Sequence, residues 1–168
     1  GRTNVNNTAG YGTITSPGNH PVVITVGALR HMYTSMRGDD VLATYSSMGP
    51  TRFDHVVKPD LVAVGNRVAS LIAPSSRLTA STNFSPVPLS QYLKTNSPGM
   101  SSDYMYLSGT SMAAPLVAGA AARLLSEHPG LTSQELRILI LKNTTRQAAL
   151  LGKINEGRIL MLSNEPSP

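Results

Sequence analysis

The segment from residue 108 to residue 119 constrains this chain more than any other. It reads Ser-Gly-Thr-Ser-Met-Ala-Ala-Pro-Leu-Val-Ala-Gly, so a glycine turn opens into small and aliphatic residues of helical character. Arg123 and Glu127 interrupt the apolar stretch, which favours a helix packed against a sheet over a membrane helix. Pro115 fits the first turn, where a missing N–H costs little. We therefore expect a buried helix from about Ser111 to Glu127.

Ser111, at the start of this helix, is a candidate nucleophile. Gly109 precedes it and little bulk follows, so the hydroxyl can be exposed while backbone N–H groups at the helix N-terminus remain free to bind an anion. Serine also commonly caps helices, and an isolated serine here would be interpreted as a cap. An unactivated hydroxyl is a weak nucleophile and needs an adjacent base that a third group orients.

Aliphatic runs elsewhere predict an α/β fold. Pro21 to Leu29 is nearly continuous and is typical of a strand buried on both faces, as in a parallel sheet. Shorter candidate strands cover residues 41–45, 61–64 and 67–72. The Thr-x-x-Glu spacing at 132–135 is that of a capping box and predicts a second helix to about residue 142.

Residues 74–103 are rich in Ser, Pro, Asn and Thr, with only scattered apolar residues. This composition predicts a long surface loop inserted between a strand and the serine helix.

Four segments resemble, in order, segments of the subtilisin-like serine proteases (subtilases, peptidase family S8). Gly-Thr-Ser-Met-Ala-Ala-Pro at 109–115 closely resembles their nucleophile segment, with Ser111 in the place of the catalytic serine. The others are Pro-Val-Val-Ile-Thr-Val-Gly-Ala at 21–28, Tyr-Ser-Ser-Met-Gly-Pro at 45–50 and Lys-Pro-Asp-Leu-Val-Ala at 58–63. The resemblance implies part of a subtilisin-like three-layer α/β fold, with a mainly parallel sheet and a buried helix starting at the catalytic serine.

The same resemblance implies a serine endopeptidase that hydrolyses peptide bonds through an acyl-enzyme on Ser111, whose backbone N–H would donate to the oxyanion. It also implies a set of substrate-binding residues on two segments. These are Thr15, Ser16, Pro17, Gly18, Gly109 and Thr110.

Residues 15–18 take the place of a segment that lines the pocket for the residue before the cleaved bond. Thr15 stands where many relatives have glycine, which would narrow the pocket and favour smaller side chains. A plain turn is the alternative, because Pro17-Gly18 is typical of turns. The resemblance also implies a cis bond before Pro17.

No segment here matches the family's Asp, His or Ala-Gly-Asn-like segments. The resemblance therefore implies that residues 1–168 correspond to the C-terminal portion of a catalytic domain, and that this chain alone is not a competent protease. We interpret the histidines as surface, turn or helix-end residues: they are His20, His31, His55 and His128. The alternative function is a non-catalytic peptide-binding or structural module derived from a subtilase.

Composition and charge narrow the partners. The chain is 40% hydrophobic and 14% charged, without an apolar stretch of membrane-span length, so we expect a globular protein without a membrane partner. Its net charge of +5 is scattered, without a basic run, which argues against nucleic acid. We expect a polypeptide substrate, and either the N-terminal half of the same catalytic domain or self-association to cover exposed strand edges.

The chain contains no cysteine, which rules out disulfides and thiolate metal sites. No cofactor is identified: calcium is implied by the resemblance only, and no Asp/Glu cluster has a ligand spacing that assigns a metal residue. The resemblance favours a secreted protein, and residues 1–25 do not resemble an export signal, which would then lie upstream.

Overall fold

The computed structural model describes residues 11–34, 36–81, 84–94 and 98–146, together with the backbone of residues 158–160. The chain divides into two compact units. The first comprises the chain up to Asn66 and from Gly109 onward, and the second is Arg67–Ser108. Each unit has its own sheet.

The first unit contains a five-stranded sheet in the order β2-β1-β3-β8-β7. Its strands are β1 (Val26–Arg30), β2 (Val41–Leu42), β3 (Leu61–Val64), β7 (Thr144–Arg146) and β8 (Arg158–Leu160). β3 runs parallel to both β1 and β8, whereas β2 and β7 pair antiparallel at the two edges. The described sheet is therefore mixed rather than mainly parallel, because β2 returns directly beside β1 after a short connection.

The aliphatic run at 21–29 forms a strand only from Val26 onward. Before it, the chain turns, with N–H bonds from Asn19 to the Thr15 carbonyl and from Val23 to the His20 carbonyl. Val22 is 68% exposed. The prediction of a strand starting at residue 21 is therefore wrong, because local turn bonds compete successfully with the sheet.

Helix α1 (Thr110–Glu127) confirms the predicted helix and packs one face against the sheet. Ala113 and Val117 are buried in a core cluster with residues of β1, β3 and α2. The face that carries Ala114 and Ala118 is exposed. In the first unit, α1 is therefore buried along the face that packs against the sheet. No helix within the described ranges is both long and apolar enough to cross a membrane.

Helix α2 (Ser133–Lys142) begins with the predicted capping box. The Thr132 hydroxyl accepts from the Glu135 backbone N–H, and a Glu135 carboxylate oxygen accepts from the Thr132 N–H at 2.8 Å. The Thr132 hydroxyl also donates to that oxygen at 2.7 Å. The bonds that the Thr132 hydroxyl and backbone N–H donate to the carboxylate hold the pKa of Glu135 below its ordinary value of 4.5. The hydroxyl has the larger effect and the backbone N–H the smaller one.

The second unit contains a three-stranded antiparallel sheet in the order β4-β6-β5. Its strands are β4 (Val68–Leu71), β5 (Pro86–Pro88) and β6 (Met100–Leu107). Val87 and Met105 are buried, and short 3-10 helices cover Arg77–Ala80 and Leu89–Gln91. The prediction of a loop over 74–103 is therefore wrong where β5 and the start of β6 form. The prolines at both ends of β5 argued against a strand in the sequence. They are tolerated because β5 is an edge strand, where a missing N–H costs little.

Acidification is expected to weaken the contribution of the Glu135 carboxylate to the α2 capping box. Because the folded-state pKa of Glu135 is depressed, its charge stabilises the fold above the unfolded value, and this contribution is lost as the pH falls through the folded pKa. The difference in denaturation midpoint between wild type and Glu135→Gln should shrink from about pH 6 to about pH 3. A difference that is constant across this range would contradict the assignment.

Candidate active site

The first site residue, Ser111, lies in the first turn of α1, and its side chain is exposed. Gly109 is the N-cap residue, and the Met112 N–H donates to its carbonyl at 3.0 Å. The first N–H groups of a helix have no partner within the helix and carry the positive end of its dipole. The serine hydroxyl is therefore presented beside backbone donors suited to a developing negative charge.

The start of α1 is fixed to the end of β3 by a glycine contact. The Gly109 N–H donates to the Gly65 carbonyl at 2.7 Å, and the Tyr45 hydroxyl donates to the same carbonyl at 2.7 Å. A Cβ on Gly65 would lie 2.7 Å from the Gly109 carbonyl oxygen and 2.8 Å from the Ala28 Cβ. Only glycine fits at residue 65 without movement of the chain, so this contact sets the place of the serine turn.

A cavity of about 130 Å³ lies beside the serine turn. It brings together three of the residues implied in substrate binding, Thr15, Gly18 and Thr110. Thr110 directly precedes Ser111, so the serine adjoins a wall of the cavity. The remaining lining residues are Ile14, Thr25, Val26, Gly27 and Ser47.

The other implied binding residues are placed differently. Ser16 and Pro17 line a separate, more open recess of about 510 Å³, and the bond between them is cis, as expected. Gly109 lines neither cavity and acts through its contact with Gly65. The segment 15–18 therefore faces two cavities, with Thr15 and Gly18 on the one nearest the serine.

Sequence reasoning missed Thr25, Gly27 and Ser47 as lining residues. A Cβ on Gly27 would lie 2.9 Å from the Ser46 Oγ, and the Ser46 Oγ accepts from the Ala28 N–H at 3.0 Å. Ser46 and Ser47 belong to a segment that carried the family resemblance without an assigned role. The family resemblance was the only indication that this segment belongs to the site, because no local sequence pattern indicates that residues 27 and 47 line the same cavity.

The four histidines lie in turns or at a helix end. The Nδ1 atoms of His20 and His31 each accept from a backbone N–H two residues ahead, and His31 stacks edge-on against Tyr33. His55 is exposed in a turn, and His128 is the C-cap of α1. Within the described ranges, no histidine hydrogen-bonds to Ser111. Nor does this part of the chain bring three or more His, Asp or Glu side chains together as metal ligands.

Several known proteins are similar to this chain in sequence. A profile described as "Subtilase family" matches residues 3–157. "Serine protease AprX" of Bacillus subtilis is 41% identical over 133 residues, which cover 79% of this chain and 27% of AprX. "Halolysin-like extracellular serine protease Nep" of Natrialba magadii is 63% identical over 35 residues, which cover 21% of this chain and 6% of Nep. This chain therefore spans about a quarter of AprX.

Solved structures show the same fold. Fervidolysin from Fervidobacterium pennivorans, "a keratinolytic enzyme related to subtilisin", superposes with a TM-score of 0.59 at 25% identity, over 86% of this chain and 19% of that one. Sphericase superposes with a TM-score of 0.59 at 24% identity, over 92% and 44% of the two chains. The fold is thus a subtilisin-like α/β fold. The chain belongs to the subtilase family, a family of serine proteases.

Gly65→Ala is expected to destabilise the first unit by about 1–3 kcal/mol, because the added Cβ overpacks the contact between β3 and α1. Gly119→Ala is the matched control: residue 119 lies in α1 with no neighbour within 4 Å of an added Cβ, so alanine should stabilise by about 0.5–1 kcal/mol. Urea denaturation measures both. Equal midpoints for the two variants would show that Gly65 is not a packing constraint.

Proposed function

We propose that this chain contributes the nucleophile and part of the substrate pocket of a subtilisin-type serine endopeptidase. The proposal is supported by the cavity of about 130 Å³, whose lining includes Thr15, Gly18 and Thr110, the residue directly before the exposed Ser111. A peptide that fills the cavity with the side chain before its cleaved bond would present that bond's carbonyl to the serine.

The proposed chemistry follows from this placement. The Ser111 Oγ bonds to the substrate carbonyl carbon as a base takes its proton, and the Ser111 N–H donates to the oxyanion. The amine leaves with that proton, and water then hydrolyses the acyl-enzyme. In this proposal the base and its orienting carboxylate come from a second segment, since no described histidine hydrogen-bonds to Ser111.

We therefore propose that this chain is inactive alone and cleaves polypeptides when assembled with the portion of a catalytic domain that carries Asp, His and the oxyanion Asn. Among the described residues, the exposed face of α1 that carries Ala114 and Ala118 is one surface open to that portion or to a second copy. Relatives such as Nep, named as extracellular, support secretion of the whole protein. No calcium site is assigned.

Labelling with a fluorophosphonate, which reacts with activated serines, tests the nucleophile. Wild-type chain mixed with a separately expressed segment of a subtilase catalytic domain that carries Asp, His and Asn should be labelled, whereas Ser111→Ala should not. Ser126→Ala is the matched control, because it removes an exposed hydroxyl from the same helix, far from its N-terminus. Its labelling should equal that of wild type.

Absence of labelling in an assembly that forms, as judged by co-elution, would favour the alternative function. That alternative is a non-catalytic peptide-binding module, which the cavity beside a serine without a described base would suit. Ser111-dependent labelling of the chain alone would overturn the proposal that a second segment supplies the base.

Thr15→Gly is expected to broaden specificity. Thr15 lines the 130 Å³ cavity, so removing its side chain should raise kcat/KM for substrates with Phe before the cleaved bond about tenfold relative to Ala, the size of effect given by one or two buried methyl groups. Ser16→Gly is the control, because residue 16 lines the other recess. An unchanged Phe-to-Ala ratio in Thr15→Gly would remove Thr15 from the pocket.

A further inference from the structure

The side chain of Lys58 is fully buried, with 0% exposure. Its Nζ donates to the Val23 carbonyl and to the Asp60 Oδ2, each at 2.6 Å. A buried ammonium is costly unless it is paired and hydrogen-bonded, and both conditions are met here. One of its two partners is a backbone carbonyl in the chain that leads from the pocket segment to β1.

The Lys58 backbone is itself held in place. The Gly49 N–H donates to the Lys58 carbonyl at 2.8 Å, and a Cβ on Gly49 would overlap the same carbonyl oxygen. The ammonium is therefore anchored from a fixed point rather than carried on a mobile loop.

Asp60 connects this ion pair to Thr25, the residue before β1. Its Oδ2 also accepts the Thr25 N–H at 2.7 Å, and the Asp60 N–H donates to the Thr25 carbonyl at 2.9 Å. Its Oδ1 accepts from Arg137 of α2 at 3.0 Å. One carboxylate with 2% side-chain exposure thus binds both cations and the residue that precedes β1.

Thr25 carries the constraint to the cavity wall. Its hydroxyl donates to the Gly18 carbonyl at 2.6 Å, and the Asn19 N–H donates to the Thr15 carbonyl at 3.2 Å. Thr15, Gly18 and Thr25 all line the 130 Å³ cavity, whereas Lys58 and Asp60 do not. The ion pair can therefore influence the cavity only by holding the segment that forms it.

We propose that Lys58 is a positioning residue: through Asp60, Val23 and Thr25 it fixes the segment 15–25 and so sets the width of the cavity that selects the residue before the cleaved bond. This inference rests on the proposed function. In this proposal, Lys58 and Asp60 influence specificity without contacting the substrate, whereas Thr15, Gly18 and Thr25 line the cavity that the substrate enters. A small displacement of a binding wall is sufficient to change substrate positioning strongly.

Steady-state kinetics of the assembled protein test the proposal on substrates with Ala or Phe before the cleaved bond. In Lys58→Met, KM for the Ala substrate should rise about tenfold while kcat changes less than about threefold, since the serine turn is held by a separate contact. The preference for Ala over Phe should fall by a similar factor. Ile140→Val, a core variant outside the cavity, is the stability control and should leave KM and the preference unchanged.

A milder pair of variants keeps the test decisive if Lys58→Met does not fold. Thr25→Val removes the hydroxyl that donates to the Gly18 carbonyl, whereas Thr25→Ser retains a hydroxyl. Thr25→Val should raise KM for the Ala substrate several-fold, and Thr25→Ser should restore it. If wild type cleaves and neither Lys58→Met nor Thr25→Val alters KM or the preference, the positioning role is overturned.

Amide hydrogen exchange on the chain itself separates failure of this inference from failure of the proposed function. Exchange at Thr25 and Asn19 should accelerate at least tenfold in Lys58→Met relative to Ile140→Val. If wild type does not cleave but this acceleration occurs, the proposed function fails and the structural coupling stands. If exchange at these amides matches the control, Lys58 does not position the segment.

Discussion

The buried carboxylate of Asp60 is the interaction on which the first unit depends most. It stands at the start of β3 and binds the chain before β1, the ammonium of Lys58 and the guanidinium of Arg137 on α2. An unpaired buried charge is strongly unfavourable, so these partners must be in place together. The parallel register begins at the next residue of each strand, where Val26 pairs with Leu61. The buried charges of Asp60 and its partners thus help to fix the register between β1 and β3, which burial of aliphatic side chains alone specifies less strictly.

Close packing is the second constraint, and it determines where the serine stands. Gly65 follows the carboxyl end of β3, and its lack of a side chain allows the turn at Gly109 to approach. Ala28 and Ala113, both 0% exposed, keep α1 close to the sheet behind that contact. In open α/β sheets, ligands bind outside the carboxyl ends of the strands. Ser111 lies at this edge because small residues permit its helix to begin there.

Local signals predicted the elements whose cause is local. The bounds of β3 and the capping box of α2 follow from neighbouring residues, and the structure has both where the sequence placed them. Two predictions failed for reasons that the hydrophobic pattern does not encode. β1 starts later than predicted because turn hydrogen bonds hold the residues before it. The strand at Pro86–Pro88 forms because it pairs with β6, which is distant in sequence. The cavity shares this limit: Ser47 and Thr15 line it together only because the chain folds back, and no local pattern in either segment predicts this.

Lys58 shows why a charged residue in a sequence is difficult to interpret. Most lysines are exposed, and the scattered positive charges of this sequence gave no indication that Lys58 is buried. Its burial follows from an arrangement of one carboxylate and one carbonyl 35 residues away in sequence. The proposed nucleophile and the proposed pocket are therefore held by different interactions. A steric contact between glycines holds the turn before Ser111, and a buried ion pair holds Thr25. Because these constraints do not share residues, substitutions in the pocket segment can leave the serine turn in place, which under the proposed function would allow specificity to diverge without loss of the geometry at Ser111.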